Sequence, residues 1–304
     1  MLKNSGISKS FFLIQLQTNL EQVNEIFLLQ KLSAIAVKSG ILLHEIQRER
    51  AHSIWYLGTK GENFTKLNSQ RKKTDLKMSE YENYLKSVNL ESFNGEIKDA
   101  ISKTIIQLST LKREREMINS LTENIDSSIA YFSTLIGFFI SLIEMLCKFN
   151  INSKLTRGIN TYILLFKLKE KIGQERATLT GTFSENKFNI NRIASFLEIL
   201  NEQELYEKKF LNKATKEQMN IYYSKIEDRI LNEINDFRKI AIKNLITNTF
   251  GVSTKDWLRI ITNKIDLLKE VEDKVFCDIT NDIEKLRKYF HNQAKQSLFK
   301  IANI

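Results

Sequence analysis

The sequence contains no proline and only ten glycines among its 304 residues. Tight turns between β-strands depend on these residue types, so their scarcity argues against an all-β fold. Leucine, isoleucine, lysine, glutamate and asparagine instead form long runs that are compatible with helices. With 42% apolar and 27% charged side chains, the chain also has the composition of a folded globular protein. We therefore predict an all-α fold.

Cysteine and histidine are also scarce. Cys147 and Cys277 lie in apolar-periodic runs without C-x-x-C spacing, and we predict that both are small core residues. The histidines His44, His52 and His291 are too scattered to form a set of metal ligands. The sequence has no Gly-rich phosphate loop, nucleophile elbow or pair of carboxylates that stands out as catalytic. We expect no metal, no cofactor and no enzymatic activity.

Long apolar segments are few. The first apolar run ends after four residues, at Gln15, and is too short for the core of a signal peptide. The seventeen uncharged residues 127–143 are at the lower limit for a membrane span and include five Ser or Thr residues. We predict a buried bundle helix there and no membrane span, with a span as the alternative. The chain is expected to be cytoplasmic if complete and extracytoplasmic if it is a fragment of a transmembrane receptor.

The net charge of +10 is an excess that permits contact with nucleic acid or an acidic membrane. However, the lysines are spread among glutamates at helical spacing, as in LNEINDFRKIAIKN, rather than clustered with aromatic residues. This pattern favours solvated helix surfaces. A helical scaffold, or a module that binds nucleic acid or another partner through its basic surface, is the alternative function.

Apolar residues recur at spacings of three and four along most of the chain, which indicates amphipathic helices. Long helices with short connections favour antiparallel bundles. A faint duplication, which matches Glu49-Arg50-Ala51 with Glu175-Arg176-Ala177, indicates two related bundles. The predicted helices, several of which are open to being split, span about 8–57, 62–90, 95–121, 123–149, 154–180, 189–206, 215–249 and 254–300.

Arginines interrupt the apolar face of three predicted helices, at Arg50, Arg115 and Arg176. Glu49 and Glu175, one residue earlier, are turned by about 100° and are expected to point away from that face. Because burying an unpaired guanidinium costs several kcal/mol, each inward arginine needs a negative partner. A carboxylate from another helix would make the arginine a structural bridge. A diffusible, planar oxyanion would suit its fork of N–H donors, and the repeated pattern favours a shared anion site.

Three segments, in order along the chain, carry a family resemblance. The first is LLHEIQRERAHSIWYLGTKGENFTKLNSQRKKTDLKMSEY at 42–81, and the second is LKEKIGQERATLTGTF at 168–183. The third is Trp257 with the following TNKIDLLKEVED. Together they resemble the NIT domain, the nitrate- and nitrite-sensing domain of bacterial regulators and chemoreceptors. The sequence departs from the family pattern at Ala51 and His52, where many members have glycine and another small residue.

The resemblance implies a sensor of two antiparallel four-helix bundles packed together, with residues 1–304 as one functional unit. It implies that nitrate or nitrite binds through Arg50 and Arg176, with Arg115 as the third arginine and Arg113 competing for that position. Bound anion would remove repulsion between the arginines and thereby favour a closed arrangement of the helices.

Three further residues lie near the arginines in the sequence. Gln47, Tyr56 and Gln174 are candidates to orient the guanidinium groups or to donate to the anion, with simple packing as the alternative. The expected partners are the anion itself and an unidentified downstream signalling partner, and a homodimer is left open.

Overall fold

The computed structural model describes residues 2–148, 152–247 and 249–303, with side chains described from Lys9 onward. In these ranges, the regular structure is entirely helical, which confirms the predicted all-α class. The helices are α1 (Leu2–Gly58), α2 (Phe64–Ser87), α3 (Gly95–Ser109), α4 (Leu111–Asn119), α5 (Ile125–Leu146), α6 (Ser153–Glu185), α7 (Ile190–Lys213), α8 (Lys216–Lys225), α9 (Asp228–Lys243) and α10 (Thr254–Ala302).

Asparagine residues mark most of the helix starts. The side chains of Asn94, Asn124, Asn152 and Asn189 accept a hydrogen bond from a backbone N–H in the first turn of α3, α5, α6 and α7. This bond satisfies a donor that has no partner within the helix, so asparagine is favoured at these positions. The predicted helices 95–121 and 215–249 are each split in two. The predicted ends at Phe149 and the break at Asn150 lie outside the described residues.

Three long helices form the centre of the protein. Helix α1 packs against α2, α5, α6 and α10, while α6 also packs against α7 and α10. Helices α1 and α10 run antiparallel: Arg48 bonds to Asp266, and the earlier α1 residue Gln30 bonds to the later α10 residue Glu284. As a result, α6 contacts helices on several sides and buries many residues outside a single apolar face.

The second half of the chain repeats the helix order of the first. Helices α1, α2, α3, α4 and α5 are followed by α6, α7, α8, α9 and α10 in the same sequence of long and short elements. Helix α7 begins 126 residues after α2 (Ile190 and Phe64), and α10 begins 129 residues after α5 (Thr254 and Ile125). The duplication around the two Glu-Arg-Ala triplets therefore extends over both halves.

Two described helices have the length and hydropathy of a membrane span, within 9–58 and at Ile125–Leu146. Half of the most apolar window of the first, and 39% of that of the second, is buried inside the protein. In α5, Phe132, Leu135 and Phe139 belong to the hydrophobic core and are fully buried. Core helices of globular proteins share this composition, so the absence of a membrane span stays a prediction.

The two cysteines differ in burial. Cys147 packs against the core, and burial raises the pKa of its thiol to about 12. Cys277 is exposed on α10, so the prediction that it is a core residue was wrong. Val275, Ile279 and Ile283 form the buried face of this part of α10, and Cys277, two residues from the first two, lies on the opposite side of the helix.

Candidate functional site

Arg50 and Arg176 meet where α1 crosses α6. Their exposed fractions are 0% and 1%, which confirms the predicted inward orientation. The Nη2 group of Arg176 donates to the backbone carbonyl of Gln47, less than one turn before Arg50. Gly173 permits the close approach from the other side, because a Cβ atom there would lie 2.6 Å from Nη2 of Arg50. Two buried cations are thus neighbours at one helix crossing.

A protein carboxylate neutralises Arg50. Its Nη1 and Nη2 groups donate to the two carboxylate oxygens of Glu170, at 2.7 and 3.2 Å. The side-chain amides of Gln47 and Gln174 donate to the same carboxylate, at 2.7 and 3.0 Å. Nη1 also donates to the hydroxyl of Ser133 at 3.2 Å. For Arg50, the structure therefore has the bridging carboxylate that the sequence left as one alternative.

Arg176 has a different environment. Nη1 donates to the hydroxyl of Thr262 and Nη2 to the carbonyl of Gln47, at 3.2 and 2.6 Å. Within the described part of the chain, its Nε–H has no acceptor, and no carboxylate accepts a hydrogen bond from the guanidinium. Burial, followed by the nearby positive charge of Arg50, lowers the pKa of Arg176 to about 9. An additional anion would stabilise this cation.

Arg176 lines a cavity of about 690 Å³ between α1, α2 and α10. Among its lining residues, Asp266 is the acidic one, and Arg48 already binds it at 2.6 Å. The buried Nε–H of Arg48 also has no acceptor among the described residues. The cavity is therefore strongly positive. Its basic lining residues are Arg48, Lys66, Lys73, Arg176, Lys255 and Arg259.

Two histidines at the cavity are held neutral. His44 lies 3.6 Å from Asp266, yet burial and then the charge of Lys169 lower its pKa to about 2. Burial and then the charge of Arg176 lower the pKa of His52 to about 4. At neutral pH neither imidazole carries an additional proton, so the arginines and lysines that line the cavity set its charge.

Because His44 and His52 are held neutral, we expect the protein to lose stability as the pH falls. The unfolded chain protonates His44 and His52 near pH 6.5, whereas the folded chain does so near pH 2 and 4. Because the unfolded state binds more protons below pH 6.5, stability present above that pH is lost on acidification. Between pH 7 and 5.5 we expect the free energy of unfolding to fall by about 2–3 kcal/mol. Urea denaturation at both pH values measures this, and a His44→Gln/His52→Gln variant should show a flatter dependence.

The structure places Arg115 in an ion pair. Its Nε and Nη2 groups donate to Glu49 at 2.6 and 2.8 Å, and its Nη1 group donates to Asp75 at 2.6 Å. Arg113 is exposed, so of these two arginines Arg115 is the inward one.

The hydroxyl of Tyr56 donates to the backbone carbonyl of Asn119 at 3.4 Å. Both glutamates expected to point away, Glu49 and Glu175, are in fact fully buried.

Several residues of the site were missed from the sequence. Arg238 donates to Glu175 through Nε and Nη2, at 2.6 and 2.7 Å, in the same way that Arg115 binds Glu49. Glu170, Arg48 and Thr262 were also missed. The sequence carries a signal for Arg238 alone: each half has a glutamate one residue before its arginine, so a cation that binds Glu49 implies one that binds Glu175.

The fold and the cavity define an all-helical domain with a positively charged cavity beside a buried arginine. Residues 42–280 match the family model described as nitrate and nitrite sensing, and the chain belongs to this NIT family. It is similar in fold to the solved structure of the NasR transcription antiterminator, with a TM-score of 0.79 at 16% identity. That match covers 96% of this chain and 83% of the NasR chain. No curated protein sequence matches the chain.

Proposed function

We propose that the chain senses nitrate or nitrite, which binds in the basic cavity at Arg176, and that it performs no catalysis. Membership of the NIT family supports the ligand class. The observation that carries the proposal is a fully buried guanidinium that faces a cationic cavity without a hydrogen-bonded carboxylate. Such a cation is costly in the folded state unless an anion joins it.

The cavity offers donors that suit a planar oxyanion. Arg48 and Arg176 both line it, and within the described residues the buried Nε–H of each lacks an acceptor. Buried donors without partners are rare in native proteins and favour a ligand that accepts from them. An oxygen of nitrate or nitrite bound by each arginine would supply two charge-assisted hydrogen bonds. A monovalent ion held in this way should bind with a dissociation constant of roughly micromolar to millimolar.

The proposed signal is a change in how α1, α6 and α10 are arranged. Arg176 lies on α6, and its guanidinium already bonds to Gln47 on α1 and Thr262 on α10. Without the anion, the charges of Arg50, Arg48 and Arg176 repel one another and oppose this three-helix contact. Bound anion favours the contact, so it shifts the population toward the closed arrangement.

Other parts of the proposal follow the family resemblance. We propose two four-helix bundles that act as one functional unit over residues 1–304, with a downstream signalling partner and a homodimer as further predictions. A cytoplasmic location for a complete chain is a prediction as well. Direct binding by Arg50 or Arg115 would require Glu170 or Glu49 to release the guanidinium, and these two residues remain candidates on that condition.

A thermal-shift panel of small anions tests the function. Nitrate and nitrite should raise the melting temperature by roughly 3 °C or more at tenfold or greater excess over the dissociation constant, because they bind the folded state. Chloride at matched ionic strength should have little effect. If no anion raises the melting temperature and the protein instead binds an oligonucleotide with a steep salt dependence, the basic surface is the functional part.

A further inference from the structure

The two arginine environments are equivalent by the internal repeat. Arg50 of α1 corresponds to Arg176 of α6, and Ser133 of α5 corresponds to Thr262 of α10. The same bond is present in both halves, since Nη1 of each arginine donates to its hydroxyl at 3.2 Å. The protein therefore contains two copies of one guanidinium site.

The two copies differ in the residue at the position that can neutralise the arginine. Glu170 lies six residues before Arg176 on α6 and binds Arg50. The residue six before Arg50 on α1 is His44, which is held neutral by burial. One copy thus receives a carboxylate from the neighbouring helix, whereas the equivalent position of the other copy supplies an uncharged ring.

A second cavity opens beside Arg50, and it is equivalent to the basic one. Its volume is about 410 Å³, and Ser133 and Gln174 line it at the positions that Thr262 and Arg48 occupy in the basic cavity. Both of these residues bond to the Arg50–Glu170 pair. The cavity therefore lies next to two side chains that hold the pair, while Arg50 and Glu170 themselves are buried behind them. The charges there are mixed, from Lys171, Arg192, Asp126, Glu198 and Glu202.

Glu170 is bound as a ligand would be. Each carboxylate oxygen accepts two hydrogen bonds, one from Arg50 and one from the amide of Gln47 or Gln174. A carboxylate is planar, carries one negative charge and presents two oxygens, as nitrite does. The donors around it therefore form a complete site for a planar monoanion.

We propose that the carboxylate of Glu170 is a built-in anion in a second oxyanion site, so that the natural chain binds one nitrate or nitrite, at Arg176. This inference rests on the proposed function only for the ligand at Arg176. Removal of the carboxylate opens the second site to planar monoanions such as nitrate, nitrite and formate. Formate is the closest replacement, because it restores the same carboxylate without the rest of the side chain.

The test replaces Glu170 by alanine and counts the bound anions. Titration calorimetry with nitrate should give one site per chain for the natural protein and two for Glu170→Ala. Glu170→Ala should also have a lowered melting temperature that formate restores, since Arg50 is otherwise buried and unpaired. Glu170→Gln is the matched control, because its amide keeps the volume of the side chain and blocks the site. It should show one nitrate and no response to formate.

The double variant Glu170→Ala/Arg176→Ala separates this inference from the proposed function. It should retain one nitrate, bound at Arg50. One site in Glu170→Ala, with none in the double variant, would overturn the inference and leave the sensor proposal intact. If the natural chain binds no nitrate but Glu170→Ala binds one, the second site is supported and the sensor proposal is overturned. If Glu170→Ala folds poorly, recovery of folded protein in excess formate supports the inference, and failure to fold in both formate and nitrate overturns it.

Discussion

Replacing Arg176 by alanine is expected to abolish the rise in melting temperature that nitrate causes. The substitution removes the buried charge that the anion neutralises and at least one charge-assisted hydrogen bond, while Arg48 remains engaged with Asp266. A loss of about 3 kcal/mol of binding free energy corresponds to roughly a hundredfold or greater weakening. Titration calorimetry measures this directly, and the thermal shift should vanish at the same nitrate concentration.

Three further variants show whether the loss is specific. Arg176→Lys keeps the charge but loses the planar fork, so part of the affinity should remain. Arg115→Ala leaves the buried Glu49 with only a longer contact to Arg71, at 3.7 Å, and should lower the basal melting temperature without removing the nitrate response. Arg259→Ala removes a largely exposed cation from the rim of the cavity and should change little. A full nitrate response in Arg176→Ala would exclude the assigned site.

The burial of the two arginines was predictable because it depends only on spacing along one helix. Apolar residues three and four positions away place Arg50 and Arg176 on the buried face of any helix that packs on one side. Their partners come from other helices, and periodicity carries no information about which residues meet across a contact. Glu170 is 120 residues from Arg50, and no feature of the sequence links the two.

Helix α6 shows where the pattern analysis fails. Because α6 packs against α1, α5, α7 and α10, it buries residues on more than one face, including Lys169, Glu170 and Glu175. The expectation that Glu175 points away from the apolar face was correct in angle, but α7 packs against α6 there and Arg238 of α9 binds the carboxylate. Pattern analysis assumes that each helix buries a single face, and a helix at the centre of a fold does not meet that assumption.

Substitution of Glu272 by glutamine is expected to have the largest effect on stability. Its carboxylate binds the ammonium group of Lys169, and the two side chains are 1% and 0% exposed. Burial lowers the pKa of Lys169, and the negative charge of Glu272 opposes that shift. Loss of one partner leaves a buried charge uncompensated, so the free energy of unfolding should fall by about 3–5 kcal/mol. Urea denaturation of both proteins at pH 7 measures the difference.

A double variant tests whether the uncompensated charge causes this loss. Lys169→Met/Glu272→Leu replaces the pair by apolar side chains of similar size. Much of the stability should return, because neither fully buried charge remains and Lys269, which also binds Glu272, keeps Asp273 as a partner. As a surface control, Lys274→Met breaks a partly exposed pair with Asp278 and Glu217 and should cost less than about 1 kcal/mol. The Lys169–Glu272 pair joins α6 to α10, as the Arg176–Thr262 contact does about two to three helical turns away. If the double variant were as unstable as Glu272→Gln, loss of packing rather than of charge balance would explain the effect.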